Sequence, residues 1–169
     1  EVLLRTMLSD FVPRARQKNI DFGLENTGEP LMIDGNPVLL GELVKNLIDN
    51  AIKYTPSGGC VTVRTIATER AILEVEDTGI GVPDVDRERV FERFYRVLGS
   101  TESGSGLGLP IVREIAELHR AKVSLIPNPS GKGTIAQVVF PRSRVAQEEE
   151  ASRLQIALSR PSSRQFPPT

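Results

Sequence analysis

The sequence predicts an α/β two-layer sandwich, in which one sheet carries helices on one of its faces. The main observation is the order of the elements, which runs helix, strands, helix, two strands, two helices and two strands. The second observation is the size and composition of the chain. Its 169 residues, 39% apolar and 25% charged, are typical of one globular domain that buries a core of its own.

The chain opens with a predicted helix and a predicted strand. Apolar residues between positions 2 and 18 are spaced along one helical stripe, and Pro13 predicts a kink or break within it. Residues 20–24 alternate as in a strand, and the glycine and proline of 28–30 mark a turn. Residues 31–33 are a candidate for a short second strand.

The next element is a long helix whose two ends are marked in the sequence. Asn36 is placed to be its N-cap, because a short polar side chain there accepts hydrogen bonds from the first free N–H groups. Pro37 suits the first helical position, which needs no N–H donor. We expect the helix to run from 37 to Tyr54 and to end at 55–59, which are rich in proline and glycine.

The remaining elements follow from alternation, helical spacing and turn residues. They are strands at 61–66 and 72–75, a loop at 76–83, a helix at 85–97, a glycine-rich mobile loop at 99–108, a helix at 110–118, and strands at 123–126 and 134–140. After Pro141 the pattern stops, and 142–169 is expected to be a disordered tail. A short helix through Leu154, Ile156 and Leu158 is the alternative.

Charge and cysteine content exclude several classes of protein. Twenty-one basic and 22 acidic residues give a net charge of −1, so the electrostatic footprint of a nucleic-acid binder is missing. The single cysteine, Cys60, excludes an internal disulfide framework and suits a reducing compartment. No apolar run approaches the roughly 20 residues that span a bilayer. Because the first residue is Glu1 rather than Met, we expect a fragment or a processed product.

A line of polar side chains follows one face of the long helix. At about 100° per residue, its members fall within an arc of roughly 80° and extend over about three turns. They are Glu42, Asn46, Asn50 and Lys53. Asn is a poor helix former, so two Asn four residues apart suggest a bound group, since amides offer both an oxygen for a hard cation and N–H donors for phosphate. A solvated helix face is the alternative, and the stripe alone leaves the two open.

Two glycine-rich loops are candidate ligand loops. Asp77 stands where a buried strand ends and is followed by Gly79 and Gly81, so a carboxylate lies beside backbone that a ligand can approach closely. The alternative is a tight turn with a solvated Asp. The segment 104–108 leads into a helix, whose free N–H groups suit a phosphate, whereas a flexible linker is the alternative. Neither loop follows the dinucleotide or the Walker A pattern.

Five motifs follow one another along the chain. They are Glu42 to Tyr54, Asp77 to Gly81, Phe91 to Phe94 within Phe-Glu-Arg-Phe-Tyr-Arg, Gly104 to Gly108, and Gly131 to Thr134. In combination, over about residues 1–141, they resemble the ATP-binding domain of sensor histidine kinases, within the superfamily of type II topoisomerases, heat-shock chaperone ATPases and mismatch-repair ATPases. The resemblance implies a Bergerat-type ATP-binding fold with a mixed, mostly antiparallel sheet, and a domain of residues 1–141.

The resemblance also implies the roles of individual residues in ATP binding. Asp77 would accept a hydrogen bond from the adenine amine, and Asn46 would coordinate Mg²⁺ beside Asn50. Lys53 and Arg96 would contact phosphate, and Glu42 would act on the attacking group as a catalytic residue together with Asn46. The segment from about 83 to 105 would be a lid over the nucleotide. The rest of the expected ATP-binding set is Tyr54, Gly79, Ile80, Gly81, Phe94, Gly104, Gly106, Leu107, Gly108 and Thr134.

The implied activity is transfer of the ATP γ-phosphoryl group to a histidine on a dimerisation and phosphoacceptor hairpin that this chain lacks. From there the group would pass to the receiver domain of a response regulator. The resemblance implies a homodimeric parent, either anchored in the bacterial inner membrane or cytosolic, with this domain in the cytoplasm. The charge balance predicts no nucleic-acid partner. The sole histidine, His119, is not at the acceptor position, and we expect it to be structural or on the surface. Arg120-Ala121 stands where the family usually has a glycine-containing turn.

Two other functions stay open on the sequence. One is a superfamily ATPase or a serine-directed kinase of the anti-sigma type, against which the Phe-Glu-Arg-Phe motif argues. The other is a non-enzymatic nucleotide-sensing module, against which the intact motif residues argue.

Overall fold

A computed structural model describes residues 2–27, 32–97, 104–141 and 143. The helices are α1 (Val2–Ser9), α2 (Val12–Gln17), α3 (Pro37–Tyr54) and α4 (Gly108–Leu118). The strands are β1 (Asp21–Thr27), β2 (Cys60–Ala67), β3 (Ala71–Asp77), β4 (Lys122–Pro127) and β5 (Thr134–Phe140). Two single 3₁₀ turns, Asp84–Asp86 and Arg89–Phe91, lie between β3 and α4.

The five strands form one sheet in the order β1-β2-β3-β5-β4. Strand β1 is parallel to β2, and the other neighbouring pairs are antiparallel. The expected mixed, mostly antiparallel sheet is therefore confirmed. The register of β3 against β5 ends at the pair Glu76 and Ile135, which brings Asp77 and Thr134 together just beyond the last pair.

The core lies between the sheet and the helices packed on one of its faces. Alternate residues of β3, Ala71, Leu73 and Val75, are 4% exposed or less, as a period of two requires when one face is covered. The facing residues of α3 and α4 are equally buried and include Leu43, Leu47, Ile48, Val112 and Ala116. The predicted two-layer sandwich with helices on one face is confirmed.

Helix α3 begins and ends where the sequence predicts. Asn36 Oδ1 accepts hydrogen bonds from the N–H groups of Val38 at 2.9 Å and Leu39 at 3.3 Å. At the other end the backbone becomes extended at Thr55. The carbonyl oxygen of Ile52, in the last turn of α3, accepts from Lys18 Nζ at 3.0 Å, which ties this end of the helix to the segment after α2. Both ends of α3 are therefore held by defined contacts.

The prediction of one helix over 85–97 is wrong. Apart from the two 3₁₀ turns, the segment is irregular, because Glu92 is extended and Phe94 has a φ of 65°, which ends any helical continuation. Val90 and Phe91 instead form a small separate cluster with Leu125 of β4. Burial in that cluster, rather than helix formation, accounts for the helix-like spacing of the apolar residues.

The amino-terminal predictions need smaller corrections. The break in the first helix falls at residues 10–11, between α1 and α2, and Pro13 lies in the first turn of α2, where its missing N–H costs nothing. Met32 and Ile33 are not in a strand, and Leu31 and the turn at 28–30 lie outside the described residues. Glu76 and Asp77, predicted as loop, complete β3.

The turn after α4 places a residue other than glycine in the left-handed region. Arg120 has a φ of 53°, the N–H of Ala121 donates to the Ala116 carbonyl at 2.8 Å, and the N–H of Arg120 donates to Glu117 at 2.9 Å. These bonds are those of a Schellman motif. The departure from the family pattern at Arg120 therefore leaves the turn intact, at the cost of a non-glycine residue in the left-handed region.

His119 connects the end of α4 to the start of α3. Its Nε2 accepts from the N–H of Asn36 at 3.1 Å, and its Nδ1 lies 2.7 Å from the carbonyl oxygen of Ile115. Because Nε2 accepts, the proton of the neutral ring is on Nδ1, which donates to Ile115. His119 has the structural position that was expected.

The predicted tail, 142–169, lies outside the described residues except for Ser143. That residue is 3% exposed, and its hydroxyl donates to Asp34 Oδ1 at 2.8 Å. None of the helices in the described ranges is long and apolar enough to cross a membrane.

Candidate functional site

A cleft of about 270 Å³ opens between α3, the carboxyl end of β3, the start of β5 and the start of α4. Most of the predicted site residues line it, although they come from distant parts of the chain. They are Asn46, Asn50, Lys53, Tyr54, Asp77, Ile80, Gly81, Arg96, Gly104, Gly106, Gly108 and Thr134. Residues 98–103 of the predicted lid lie outside the described part of the chain.

Asp77 is the half-buried carboxylate of the cleft. Its Oδ1 accepts from the N–H groups of Gly79 at 2.8 Å and Thr134 at 3.3 Å. Burial raises the pKa of the Asp77 carboxyl above its usual value, although those two N–H groups act in the opposite direction. In the described residues Oδ2 receives no hydrogen bond, which leaves one oxygen to accept from a ligand.

The backbone around Asp77 is packed too closely for larger side chains. Gly133, with a φ of 89°, lies against the Asp77 carbonyl oxygen, and a Cβ there would collide with it. A Cβ on Gly79 would lie 2.5 Å from the carbonyl oxygen of Tyr54. Glycine at these positions therefore lets the loop after β3 fit between the end of α3 and the start of β5.

The polar stripe of α3 forms another wall of the cleft. Asn46 Nδ2 donates to the carbonyl oxygen of Glu42 at 2.8 Å, which orients the amide. The start of α4 lies close by, because a Cβ on Gly108 would be 3.2 Å from Asn46 Oδ1 and 3.4 Å from Asn50 Nδ2. The two amides and the first turn of α4 therefore face each other across a narrow gap.

Positive charge lies beside these amides. Lys53 Nζ is 4.9 Å from the centre of the Tyr54 ring, and a Cβ on Gly104 would collide with that ammonium group. Arg96 also lines the cleft. The N-terminal end of α4 adds the positive end of a helix dipole and free N–H groups. This side of the cleft is suited to an anion, whereas the Asp77 side is suited to a hydrogen-bond donor.

Four predicted site residues do not line the cleft. Glu42 is exposed and lies 3.6 Å from Lys45 Nζ, one turn before Asn46. Phe94 is 71% exposed, and its N–H donates to the Gly106 carbonyl at 3.0 Å. Gly79 contributes the N–H that binds Asp77, and Leu107 precedes α4. Gly79 and Phe94 therefore support the loops that carry the site.

Sequence reasoning missed the apolar wall of the cleft. It comes from α3, β3, α4, β4 and β5 and from the small cluster around Phe91. Its members are Leu47, Ala51, Val75, Val82, Val90, Tyr95, Val97, Leu109, Pro110, Leu125 and Ala136. The hydroxyl of Tyr95 donates to Asp86 Oδ1 at 2.5 Å, and its ring lies under the Arg89 guanidinium. Alternation marked several of these residues as core, but gave no sign that part of the core faces a cleft.

The oxygen atoms available in the cleft fit a magnesium ion that is coordinated mainly by phosphates and waters and only in part by the protein. Within the described ranges, no group of three or more His, Cys, Asp or Glu side chains is placed to hold a metal. Mg²⁺ is commonly bound by one or two protein oxygens together with phosphates and waters. The amide oxygen of Asn46, beside that of Asn50, meets this requirement.

The fold and the cleft together define a nucleotide-binding α/β sandwich domain. Comparison with known families identifies it further. The chain belongs to the family described as "Histidine kinase-, DNA gyrase B-, and HSP90-like ATPase", whose sequence pattern matches residues 35–144. The resemblance inferred from the five motifs is confirmed, and so is ATP as the nucleotide that the family binds.

Proteins similar to this chain include a sensor protein kinase and a sensor protein. The chain is 38% identical over 144 residues to the sensor protein kinase PmrB of Pseudomonas aeruginosa, covering 84% of this chain and 30% of PmrB. It is 44% identical over 124 residues to the sensor protein QseC of Salmonella typhi, covering 73% of this chain and 27% of QseC. The chain thus spans less than a third of these relatives.

Solved structures agree with this assignment. The mycobacterial sensor histidine kinase MprB superposes with a TM-score of 0.69 at 34% identity, over 82% of this chain and 94% of the MprB chain. Full-length ShkA in complex with AMPPNP superposes with a TM-score of 0.74 at 29% identity, over 83% of this chain and 29% of ShkA. The domain is therefore of the sensor histidine kinase type, and the superfamily ATPase or serine-directed kinase is not favoured.

Proposed function

We propose that this chain is the catalytic part of a two-component sensor kinase that transfers the γ-phosphoryl group of ATP to a histidine. The acceptor histidine would lie on a dimerisation hairpin of the same protein, and a receiver domain of a response regulator would take the group from it. One observation carries the proposal. A single cleft joins a half-buried carboxylate, Asp77, to an amide-lined and positively charged side at the start of α4.

The adenine end of the site is assigned to Asp77. Its Oδ1 is held by two backbone N–H groups, so Oδ2 is available to accept from the exocyclic amine of adenine. Guanine presents a carbonyl oxygen at the same edge, and two acceptors facing each other repel. A site built on such a bond rejects the wrong partner by up to about 10⁴-fold. Tyr54, Ile80, Gly81 and Thr134 complete this end, and Gly79 supports it.

The phosphate end is assigned to α3 and the start of α4. Lys53 and Arg96 would neutralise phosphate charge, and the amides of Gly104, Gly106, Leu107 and Gly108 would bind phosphate oxygens. Asn46 would hold Mg²⁺, with Asn50 beside it. The ion would neutralise charge between the phosphates, and the chain would supply the positioning that phosphoryl transfer requires. Phe94 would support the lid through its bond to Gly106.

Glu42 is proposed to act on the attacking imidazole. It lies on the same face of α3 as Asn46 and is exposed at the rim, beside the ammonium group of Lys45. An acceptor histidine from another domain could therefore approach it without entering the cleft. A carboxylate in that position would orient the ring and accept its proton.

The wider assembly is proposed from the relatives. PmrB and QseC are named as sensor proteins, and the solved QseC structure is described as its cytoplasmic segment, which superposes with a TM-score of 0.62 at 28% identity. We infer that the parent of this chain is a homodimer anchored in the bacterial inner membrane, with this domain on the cytoplasmic side.

Two measurements test the proposal. Calorimetry of the chain with ATP, with and without Mg²⁺, is expected to show Mg²⁺-dependent binding, and GTP is the control that should not bind. Mixing the chain with an acceptor hairpin and labelled Mg-ATP is then expected to label a histidine. ATP binding with every histidine unlabelled would overturn the kinase assignment, and label on serine would favour the anti-sigma type.

A further inference from the structure

Asn128 is a buried side chain outside the cleft that donates one of its hydrogen bonds to the main chain of Asp77. It lies in the turn between β4 and β5 and is 4% exposed. Its Nδ2 donates to the carbonyl oxygen of Asp77 at 3.0 Å and to Glu76 Oε1 at 2.9 Å. Its Oδ1 accepts from the N–H of Ser130 at 2.9 Å. A buried amide satisfied on both sides fixes the groups that it joins.

The Asp77 carbonyl needs such a partner because the ladder between β3 and β5 ends before it, although Asp77 still pairs with Val61 on the β2 side. Strands β3 and β5 pair as far as Glu76 and Ile135, so Asp77 lies one residue beyond the last pair. The side chain of Asn128 takes the place of the next ladder bond. Its backbone N–H reaches the Gly133 carbonyl at 3.4 Å, on the segment that leads into Thr134.

The contacts of Asn128 with Asp77 and Gly133 affect the orientation of the Asp77 carboxylate through Thr134. The Asp77 carboxylate is oriented by the N–H of Gly79 and, from the other side, by the N–H of Thr134 at 3.3 Å. Asn128 holds the Asp77 peptide and the turn before Thr134 in one arrangement. Loss of its donor would let the end of β3 shift relative to β5, and the free oxygen of the carboxylate would change direction.

We propose that Asn128 is a positioning residue that sets the selectivity of Asp77 for a purine with an exocyclic amine. This role rests on the proposed adenine site. Asn128 touches neither the cleft nor a ligand there, and it acts through the main chain of Asp77. Its removal should therefore weaken recognition of the amine, and leave recognition of the phosphates unchanged.

The test compares ATP with purine riboside triphosphate, which lacks the amine. The variant Asn128→Asp keeps the size and the acceptor for Ser130 but removes the donor to Asp77. We expect its ATP affinity to fall about three- to tenfold, the range of one lost hydrogen bond, with less than a twofold change for the analogue. Ser130→Ala, in the same turn, is the matched control and should change neither affinity. Equal losses for both nucleotides, or no loss, would overturn the role of Asn128.

A second variant distinguishes the effect of the Asn128 bond to Asp77 from that of its bond to Glu76. Asn128→Asp places a new charge beside Glu76, whereas the double variant Glu76→Gln/Asn128→Asp removes that repulsion, because the new amide can donate to the new carboxylate. The double variant still lacks a donor for the Asp77 carbonyl, so we expect selectivity to remain reduced. Restored selectivity would show that the effect passes through Glu76 and would overturn the proposal. A parent chain that binds both nucleotides equally would instead overturn the adenine assignment of Asp77 itself.

Discussion

Asp77 shows how one side chain combines a functional position with a cost in stability. Burial raises its pKa, so the folded chain holds the proton more strongly than the unfolded chain does. The free energy of unfolding therefore falls as the pH rises from the unfolded pKa to the folded pKa, and Asp77 is destabilising above that window. A buried carboxylate kept at such a cost is typical of a binding site.

The first prediction concerns Asp77→Asn. The amide oxygen can still accept from Gly79 and Thr134, but its nitrogen would face the adenine amine as a second donor. We expect ATP affinity to fall about 10- to 100-fold, because the lost bond is to a charged group. Removal of the buried charge should raise the melting temperature of the nucleotide-free chain at pH 7. Calorimetry and thermal melting measure both. Undiminished ATP binding would contradict the adenine assignment.

The second prediction concerns Asn46→Ala. The amide oxygen that faces the start of α4 would be lost, and with it the protein ligand assigned to Mg²⁺. We expect ATP affinity in Mg²⁺ to fall about tenfold and affinity in EDTA to change less than twofold. Lys45→Ala, which is exposed on the same helix, is the control and should bind ATP like the parent. An equal loss with and without Mg²⁺ would contradict the metal role.

At the scale of elements, the turn after α4 keeps its hydrogen bonds although Arg120 stands where the family usually has a glycine-containing turn. Helix α4 ends in the same pair of bonds that ends α2, where the N–H of Ile20 donates to Ala15 at 2.8 Å. The residue in the left-handed region is Asn19 after α2 and Arg120 after α4. Asn tolerates that conformation, whereas a long side chain is strained in it.

The third prediction follows from this pair of turns. Arg120→Gly should raise the free energy of unfolding by about 0.5–1 kcal/mol, because it removes the strain while the Schellman bonds remain. Asn19→Gly is the matched control and should change stability by only a few tenths of a kcal/mol. Urea denaturation of the three chains measures the difference. A less stable Arg120→Gly chain would show that the arginine side chain makes a contact that outweighs the strain.

The segment between β3 and α4 shows the limit of pattern reasoning for an element. Its apolar spacing is helical, yet Val90 and Phe91 pack against Leu125 of a strand that comes more than thirty residues later. Arg113 of α4 lies over the Phe91 ring at 4.2 Å and binds Glu88 at 3.0 Å. Contacts to α4 and β4, both distant in sequence, therefore set the conformation of this segment.

At the scale of the whole molecule, the cleft is assembled from five of the nine helices and strands that the structure describes. Its walls come from α3, β3, α4, β4 and β5 and from the segments at 80–97 and 104–106. A nucleotide bound there contacts both halves of the chain, so binding is coupled to the stability of the entire domain.

The fourth prediction follows from this coupling. Mg-ATP at a hundred times its Kd should stabilise the folded chain by about 2.7 kcal/mol, which raises the melting temperature by about 5–10 °C. GTP at the same concentration should give no shift, and Asp77→Asn should give a much smaller shift with ATP. Thermal melting with each nucleotide measures this, and an equal shift with GTP would contradict selective binding in the cleft.

Wherever local signals were strong, the elements could be predicted from the sequence. Helix α3 begins after its N-cap Asn36 and ends before Thr55, because the cap and the glycine-rich segment that follows the helix act within a few residues. The strands were found because alternation of apolar residues records burial on one face. The motifs pointed to ATP because their order resembled that of a known ATP-binding family, and the family assignment confirms that resemblance.

The arrangement of the site was decided only by the tertiary structure. Asn46, Asp77 and Gly108 line one cleft because α3 packs against both β3 and α4, and no local pattern records those long-range contacts. The role of Asn128 could not be predicted from the sequence, because an exposed Asn is equally common in a turn. Its burial and its hydrogen bond depend on Asp77, which is 51 residues away. Amino-acid types and spacing determined the elements and the chemistry available, whereas long-range packing decided which groups face the cleft.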